Sequence, residues 1–366
     1  MEIMPVEAVI TRQSEQVIPS ELGLPNRHGF VALSVSTAIG GGAGNSGFSE
    51  GTTVTSEADI TTKGVRSAGI LAQAIGGGGG VMGDATSDTP GPATVGSSGG
   101  DGASDVVTIT MNGGSQVMTA GQCAHGVFAQ SAAASDGKAG NVTINVFDNA
   151  HISDSGTGAA GIFAQSVGHQ NQLDTISITI DATLGSANDF AAILVRDGIF
   201  GNTVIVAGTV EAGMTVKYEG TAGLDIITLD GGKIKGQTHL PKGTLQINEV
   251  GIVQSTGPMA AEYVKNNGQR TLGSPDPGEL QTSIAGDFAQ GKPSVLILDL
   301  APSDQAHLWI DGKANLDGKI KVNMSEMKDL HLFSNATLVS VTNNETADLN
   351  DSLEVDVPVA SELDVF

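Results

Sequence analysis

The sequence has little of several features that would each point to a familiar class of protein. It contains one cysteine, Cys123, so an internal disulfide is impossible and zinc sites that need several cysteines are excluded. Ten phenylalanines, two tyrosines and one tryptophan leave few large rings for a core. Only 17 basic residues oppose 40 acidic ones, and the net charge of −23 argues against a nucleic-acid binder. No apolar run in the sequence approaches the length of a membrane helix.

Glycine is the residue that the chain has in excess, with 51 among 366 residues. Glycine recurs in runs and at turns, but it does not occupy every third position as it does in collagen. A hydrophobic content of 39% is too high for a wholly disordered chain. Abundant Gly, Thr and Val with few aromatics favour many short strands joined by tight turns.

A hexapeptide recurs along the first half of the chain. Close copies lie at residues 69–74 (Gly-Ile-Leu-Ala-Gln-Ala), 126–131 (Gly-Val-Phe-Ala-Gln-Ser) and 161–166 (Gly-Ile-Phe-Ala-Gln-Ser), with weaker ones at 33–38 and 192–197. The longest interval between copies contains residues 76–105, rich in Gly, Ser, Asp and Pro, which we interpret as a surface insertion. The shorter intervals, of about 35 residues, are typical of repeat architectures.

A second repeated element keeps step with the hexapeptide. Residues 107–111, 142–146 and 176–180 alternate apolar and polar side chains, as strands with one buried face do. A third short strand is predicted at 116–119 and at 151–153. Three half-buried strands per repeat can bury their apolar sides only by stacking on neighbouring repeats. The sequence therefore predicts an all-β, elongated parallel β-solenoid, with shorter coils from about residue 198.

We expect the chain to be organised in five segments. These are an irregular N-terminal segment (1–28), β-helix repeats (29–255) carrying the insertion at 76–105, a proline-containing irregular segment (256–285), terminal coils (286–345) and an acidic tail (346–366). Residues 1–16 do not have the pattern of a signal peptide, because they carry Glu2, Glu7 and Glu15 against Arg12.

These repeats resemble those of large Gram-negative autotransporter passengers of type V secretion. Residues 286–290 (Gly-Asp-Phe-Ala-Gln), 295–300 (Val-Leu-Ile-Leu-Asp-Leu), 307–312 (His-Leu-Trp-Ile-Asp-Gly) and 314–320 (Ala-Asn-Leu-Asp-Gly-Lys-Ile) are similar, in that order, to the end of such passengers. The resemblance covers about residues 30–345. It implies a right-handed β-helix whose last coils form a stable folding core during translocation.

The resemblance also implies a location and a partner. The parent protein would include an outer-membrane β-barrel translocator, and this part would be carried to the cell surface or the extracellular space. We expect the signal and the barrel to lie outside this chain. The ligand would be a host or bacterial surface molecule, bound in adhesion or aggregation.

Several short motifs match catalytic or nucleotide-binding patterns, and each is better explained as a loop. Gly-x-Ser-x-Gly occurs at residues 47–51 and 96–100, but no helix is predicted after either match, as a hydrolase elbow requires. Residues 286–292 match the start of a phosphate loop, and Pro293 then replaces its Ser or Thr. Residues 99–105 approach a calcium nonapeptide, with Ser104 where the aspartate is expected.

Other candidate residues are dispersed. A polysaccharide lyase would need clustered aspartates facing a basic residue, whereas the five arginines, Arg12, Arg27, Arg66, Arg196 and Arg270, are far apart in sequence. We expect surface or corner positions for His125 and His151, and a small buried or half-buried role for Cys123. The alternating pairs Thr108/Thr110, Thr143/Asn145 and Ser177/Thr179 form a partial version of the regular threonine array that an ice-binding face needs.

We therefore predict a structural and adhesive β-helix protein that is not an enzyme, with no catalytic, cofactor or metal residues. We also expect it to bind no nucleic acid and to have no membrane span in this chain. The alternatives are a β-helix carbohydrate-active enzyme, a lyase or hydrolase, and a stalk fragment without a function of its own.

Overall fold

The computed structural model describes residues 7–10, 36–40, 47–76, 102–133, 136–168, 174–187, 190–198, 200–220, 225–255, 259–272, 281–299, 307–323, 339–341, 347–350 and 352–356. All of the regular structure in these ranges is β-strand, and no helix occurs in them. The chain divides into two compact units, Met1–Ile199 and Phe200–Phe366, which we call unit 1 and unit 2.

The strands of unit 1 are, in chain order, β1 (Glu7–Ile10), β2 (Ser36–Gly40), β3 (Thr52–Ser56), β4 (Ile60–Thr62), β5 (Ile70–Ile75), β6 (Val107–Met111), β7 (Gln116–Thr119), β8 (Val127–Ala132), β9 (Val142–Val146), β10 (His151–Asp154), β11 (Ala160–Val167), β12 (Ile176–Ile180), β13 (Thr183–Ser186) and β14 (Ala191–Asp197).

These strands form three parallel ladders, one on each face of the solenoid. Face A contains β1, β3, β6, β9 and β12. Face B contains β4, β7, β10 and β13. Face C contains β2, β5, β8, β11 and β14. Strands that follow one another in sequence belong to different faces, and each strand pairs with its counterpart in the next coil, which confirms the predicted parallel β-solenoid.

The register in unit 1 follows the repeats that the sequence contains. Val107 pairs with Val142, and Val142 pairs with Ile176. The hexapeptides on face C pair in the same way, because Val127 lies opposite Ile162. β5 pairs directly with β8, so no further coil lies between them although their sequences are 57 residues apart.

The interior of unit 1 is built from columns of aliphatic side chains. Because side chains alternate along a strand, every second residue of face A points inward. Val54, Ile109, Ile144 and Ile178 form one such column, and each is at most 1% exposed. A fully buried isoleucine contributes roughly 1.5–3 kcal/mol, so the stacked columns supply much of the stability that this disulfide-free chain needs.

The strands of unit 2 are β15 (Thr203–Val206), β16 (Thr209–Glu219), β17 (Ile226–Leu229), β18 (Lys233–Ile247), β19 (Ile252–Ser255), β20 (Met259–Asn266), β21 (Gln269–Leu272), β22 (Gln281–Ile284), β23 (Asp287–Gln290), β24 (Val295–Asp299), β25 (His307–Ile310), β26 (Ala314–Leu316), β27 (Lys319–Asn323), β28 (Val339–Val341), β29 (Ala347–Leu349) and β30 (Glu354–Asp356).

Unit 2 is also a parallel solenoid, with shorter coils. Thr203 pairs with Ile226 and Ile226 with Thr244, so the first coils are 23 and 18 residues long, shorter than the coils of unit 1. β18 passes around most of a coil by itself: its start pairs with β19, its middle and end pair with β20, and the register shifts between Leu240 and Thr244.

The segment 256–285, expected to be irregular, contains β20, β21 and β22. The inward positions of β20 are Met259, Ala261, Val264 and Asn266, all buried, so this segment supplies core side chains at the same spacing as its neighbours. Pro258, Pro275 and Pro277, on which that expectation depended, lie outside the described residues.

Candidate binding face

The outward side of face A carries two parallel ranks of small polar residues. One rank is Thr53, Thr108, Thr143 and Ser177, and the other is Thr55, Thr110, Asn145 and Thr179. Their positions follow from the alternation that sends the aliphatic residues of these strands inward. The sequence indicated six of these eight positions, and Thr53 and Thr55 were missed because the insertion separates β3 from its copies.

The array is regular because the strands are in register. Neighbours within a rank are about 4.8 Å apart, and the two ranks are two residues apart along the strand, roughly 6.6 Å. Thr53 is exposed and the other seven side chains are half-buried between their neighbours. No other described residue accepts or donates a hydrogen bond at these side chains, so their polar groups face outward unpaired.

The eight residues of the array are uncharged, although the chain as a whole is strongly acidic and Glu7 of β1 is the register partner of Thr53 at one end of the array. Carboxylates lie just beyond the strand ends, where Glu57, Asp148 and Asp181 are exposed. The side chain of Glu57 accepts a hydrogen bond from Asn112 Nδ2 at 3.0 Å. A neutral strip with an acidic border can donate and accept hydrogen bonds with an uncharged polar partner, and it repels an anionic one.

Face C contains a different polar arrangement, and this one is buried. The side-chain amide of Gln73 donates to Gln130 at 2.8 Å, Gln130 donates to Gln165 at 2.8 Å, and Gln165 donates to Asp197 at 2.9 Å. The three glutamines are at most 4% exposed. This amide ladder links successive coils and leaves no free surface for a ligand, so we assign it a structural role.

Aromatic side chains also stack between neighbouring coils of face C. The rings of Phe128 and Phe163 stack with centroids 4.8 Å apart, and Arg196 lies 5.1 Å from the Phe163 centroid. His125 is buried beside both rings, and its Nδ1 accepts the backbone N–H of Ala160 at 2.9 Å. His125 is therefore at a corner but not at the surface, whereas His151 is half-buried on the outer side of β10.

Two of the catalytic and nucleotide-binding motifs lie in the described part of the chain, in or next to strands. Ser49, the serine of the first Gly-x-Ser-x-Gly match, is buried, and its N–H donates to Ala103 O. The phosphate-loop match coincides with β23, where the N–H groups of Phe288 and Gly291 are already donated to neighbouring coils. The second serine match, at 96–100, lies outside the described residues.

Residues 102–105 of the calcium-like motif are described, and the side chains of Ser104 and Asp105 are bonded within the chain. Ser104 is buried and its hydroxyl lies 2.9 Å from that of Ser131, while Asp105 accepts the N–H of Val106. Within the described ranges, no group of three His, Cys, Asp or Glu residues is arranged to hold a metal. Arg12 and Arg27 lie outside those ranges, and Arg66, Arg196 and Arg270 are on separate coils.

Cys123 is half-buried at the corner that leads into β8, and its φ of 51° is in the left-handed region. Arg66 (φ 57°) and Gly158 (φ 70°) occupy the equivalent corner in the neighbouring coils. Their spacing matches the repeat, so the corner geometry and not thiol chemistry accounts for the unusual backbone at Cys123.

A buried acid lies near the start of unit 2. Asp225 Oδ1 accepts hydrogen bonds from the backbone N–H and the Nδ2 of Asn202, both at 3.0 Å. Burial raises the pKa of Asp225 above its ordinary value, although the two hydrogen bonds oppose that shift. Burial, and secondly the charge of Asp225, raises the pKa of Tyr218 well above its ordinary value. Both side chains are enclosed, so this pair reads as part of the core.

Among the described residues there is no helix with the length and apolar character to cross a membrane. No protein-family model, no curated protein and no solved structure matches this chain.

Proposed function

We propose that the protein is a non-enzymatic, adhesive β-solenoid of the autotransporter passenger type, and that the outward side of face A is its binding face. The observation that carries the proposal is the pair of in-register polar ranks, which are solvent-accessible and unpaired over four coils. Repeated solenoids use such extended surfaces for binding. The order of motifs along residues 286–320 supports the passenger type.

The chemistry of the face favours a neutral, hydroxyl-rich surface such as an uncharged glycan. Hydroxyl and amide groups donate and accept with equal ease, so they can match a partner that does the same. Threonine is stiff at χ1, which lowers the entropy lost on binding. The acidic border and the charge of −23 disfavour sulfated or carboxylated polymers.

The test compares binding to immobilised dextran, a neutral glucan, with binding to dextran sulfate. The wild type is expected to bind the neutral polymer. Beads coated with the wild-type protein are expected to aggregate. The double variant Thr110→Lys/Thr143→Lys should bind at least about tenfold more weakly, because two ammonium groups interrupt the array.

The matched control carries the same two lysines on face B, as Gln116→Lys/Thr183→Lys, where both positions are exposed. It should bind dextran as the wild type does. Equal binding by both double variants, or stronger binding of the wild type to dextran sulfate, would remove the assignment of face A. Cleavage of either polymer would favour the carbohydrate-active alternative.

A second candidate function depends on the same ranks. A regular array of threonine hydroxyls can order water at the surface of ice, and the register makes the array more complete than its sequence indicated. Thermal hysteresis and ice recrystallisation measured on the wild type and the same two double variants distinguish this function from glycan binding.

The cellular setting is tested separately. We propose cell-surface display through an outer-membrane translocator, which predicts an upstream signal peptide and downstream barrel strands in the genomic reading frame. Flanking sequence in which both are absent from the frame and from the adjacent genes would contradict the passenger assignment while leaving the binding test unaffected.

A further inference from the structure

Arg270 is the largest fully buried side chain in the described part of the protein, with 0% exposure. It lies on β21 at an inward position of unit 2. Its register partners are Val253 and Leu296, and the column continues through Val210, Ile234 and Ile320. A guanidinium therefore occupies one position in a column of stacked side chains whose other members are aliphatic.

A second column of inward side chains contains polar residues in the same part of unit 2. It runs from Val206, Leu229 and Ile247 through Asn266 and Gln290 to Leu316. Asn266 and Gln290 are register partners, and both are buried. The guanidinium carbon of Arg270 lies 5.6 Å from the ring centroid of Phe288, two residues before Gln290. Arg270 thus reaches across the interior toward this second column.

The polar groups at this level are not satisfied by one another. Arg270 Nε, Nη1 and Nη2 and Asn266 Nδ2 have no hydrogen-bond partner among the described residues. Gln290 donates its Nε2 to the carbonyls of Asp317 and Lys319, which leaves its Oε1 unpaired. Buried donors therefore outnumber buried acceptors, and the surplus includes a full positive charge.

A lone positive charge in an apolar interior is strongly unfavourable unless it is paired. Burial lowers the pKa of Arg270 to about 9, so the guanidinium stays protonated at neutral pH. The buried side chains of the strands that flank it, Val253, Val264, Phe288 and Leu296 with Asn266 and Gln290, carry no charge. A counter-charge must therefore come from outside this set.

We propose that a small monovalent inorganic anion of the halide class binds inside unit 2, between the Arg270 guanidinium and the Asn266 side-chain amide. The guanidinium supplies the charge and several N–H donors in a planar fork, and the Asn266 Nδ2 supplies a neutral donor. Gln290 Oε1 is an acceptor, so it cannot contact an anion and lies outside the proposed site. This site is independent of the proposed binding face on unit 1.

The experiment uses bromide as the probe, because its anomalous scattering locates it in a crystal of the full chain. We expect an anomalous peak at hydrogen-bond distance from the Arg270 guanidinium in crystals grown in sodium bromide. In solution, the urea midpoint should rise with the logarithm of chloride concentration at constant ionic strength, with an organic sulfonate as the replacing anion.

The variant Arg270→Met removes the charge and keeps a long apolar side chain. It should lose the anomalous peak and the chloride dependence while remaining folded, because replacing a buried charge by a hydrophobic residue is often neutral or stabilising. Arg66→Met, at an exposed arginine of unit 1, should retain both. If Arg270→Met fails to fold, the wild-type peak and its chloride dependence decide the matter.

Three results would overturn the proposal. One is a crystal in which a carboxylate of the chain, or water alone, contacts the guanidinium. Another is a bromide peak at Arg270 with no effect of chloride on stability, which would mean an adventitious ion only. The third is a chloride dependence that Arg270→Met retains.

Discussion

At the scale of single residues, one corner of the coil requires a left-handed backbone, and the residues that occupy it suit that conformation to different degrees. Arg66, Cys123 and Gly158 share one left-handed corner in successive coils. Glycine adopts this conformation freely, whereas other L-residues pay roughly 1–2 kcal/mol for it. The position of Cys123 is therefore set by the repeat, and the residue type there is not the best one for the backbone.

Replacing Cys123 by glycine should stabilise the protein by about 0.5 kcal/mol, because the relieved strain exceeds the extra entropy that glycine loses on folding. The measurement is the urea midpoint of unfolding. The matched variant Cys123→Ala keeps a Cβ and should gain nothing. A midpoint for Cys123→Gly below that of Cys123→Ala would refute the role given to this corner.

The buried acid Asp225 predicts a pH dependence of stability. Its folded pKa is raised above the ordinary 3.8, so the folded state holds the proton more tightly than the unfolded state. Its stabilising contribution is therefore fully present below pH 3.8 and is lost as the pH rises through the folded pKa. Tyr218, the titratable neighbour, loses its proton only at far higher pH.

Asp225→Asn removes this titration and keeps a side-chain oxygen for Asn202. The free energy of unfolding of the variant minus that of the wild type should rise as the pH increases above 3.8 and then level off. Urea unfolding at a series of pH values measures the difference. A difference that stays flat or falls across this range would show that burial does not raise the pKa of Asp225.

At the scale of elements, close contact between coils explains why glycine is concentrated at corners. A Cβ added to Gly121 would overlap the carbonyl oxygen of Gly64 in the preceding coil. A Cβ added to Gly156 would overlap the carbonyl oxygen of Gly121 in the same way. The three glycines form a column in which backbone lies on backbone, and side chains would separate the ladders.

Gly121→Ala should therefore lower the free energy of unfolding by about 3 kcal/mol or more, because the backbone must move in two neighbouring coils. Gly114 provides the control, because its φ is +82° and nothing lies within 4 Å of an added Cβ. Gly114→Ala should cost only about 1 kcal/mol, the strain of the conformation alone. Equal losses in the urea midpoint for the two variants would contradict the close packing of the column.

The sequence predicts the strands and their register where apolar alternation and repetition act together. Val107, Val142 and Ile176 could be aligned by their motif, and they pair as aligned. Arg270 could not be placed in this way, because the prolines on both sides of it led us to predict an irregular segment where β21 lies. Within the strand Gln269–Leu272, Arg270 is fully buried and lies on the inward side. What it pairs with depends on three-dimensional packing.

The polar array on face A, the proposed binding face, could likewise be predicted from the sequence only in part. Thr108, Thr110 and their copies were visible as alternating pairs, and Asn145 and Ser177 made the pattern look partial. Only the register shows that these residues fall into two continuous ranks with Thr53 and Thr55. A composition or a motif cannot show this, because an array is a property of neighbouring coils.

At the scale of the whole molecule, both units are parallel solenoids, and they differ in the number of residues per coil. Coils in unit 1 take about 35 residues, as between Gln130 and Gln165, whereas Asn202 and Asp225 are 23 residues apart on neighbouring coils of unit 2. Stability in such a chain is a sum of coil and interface contributions. Apart from the buried Asp154, Asp174, Asp225 and Asp317, the described acidic side chains are exposed or half-buried, whereas the eight residues of the array on face A are uncharged.

The central claim is the parallel, in-register stacking of coils, and a cysteine pair tests it most directly. Thr108 and Thr143 are register partners on the outward side of face A. In a Cys123→Ala background, the variant Thr108→Cys/Thr143→Cys should be bridged by dibromobimane to a fluorescent monomer, because the two positions are about 4.8 Å apart. Both thiols reacting singly with monobromobimane, with no bridged monomer formed, would contradict the solenoid register.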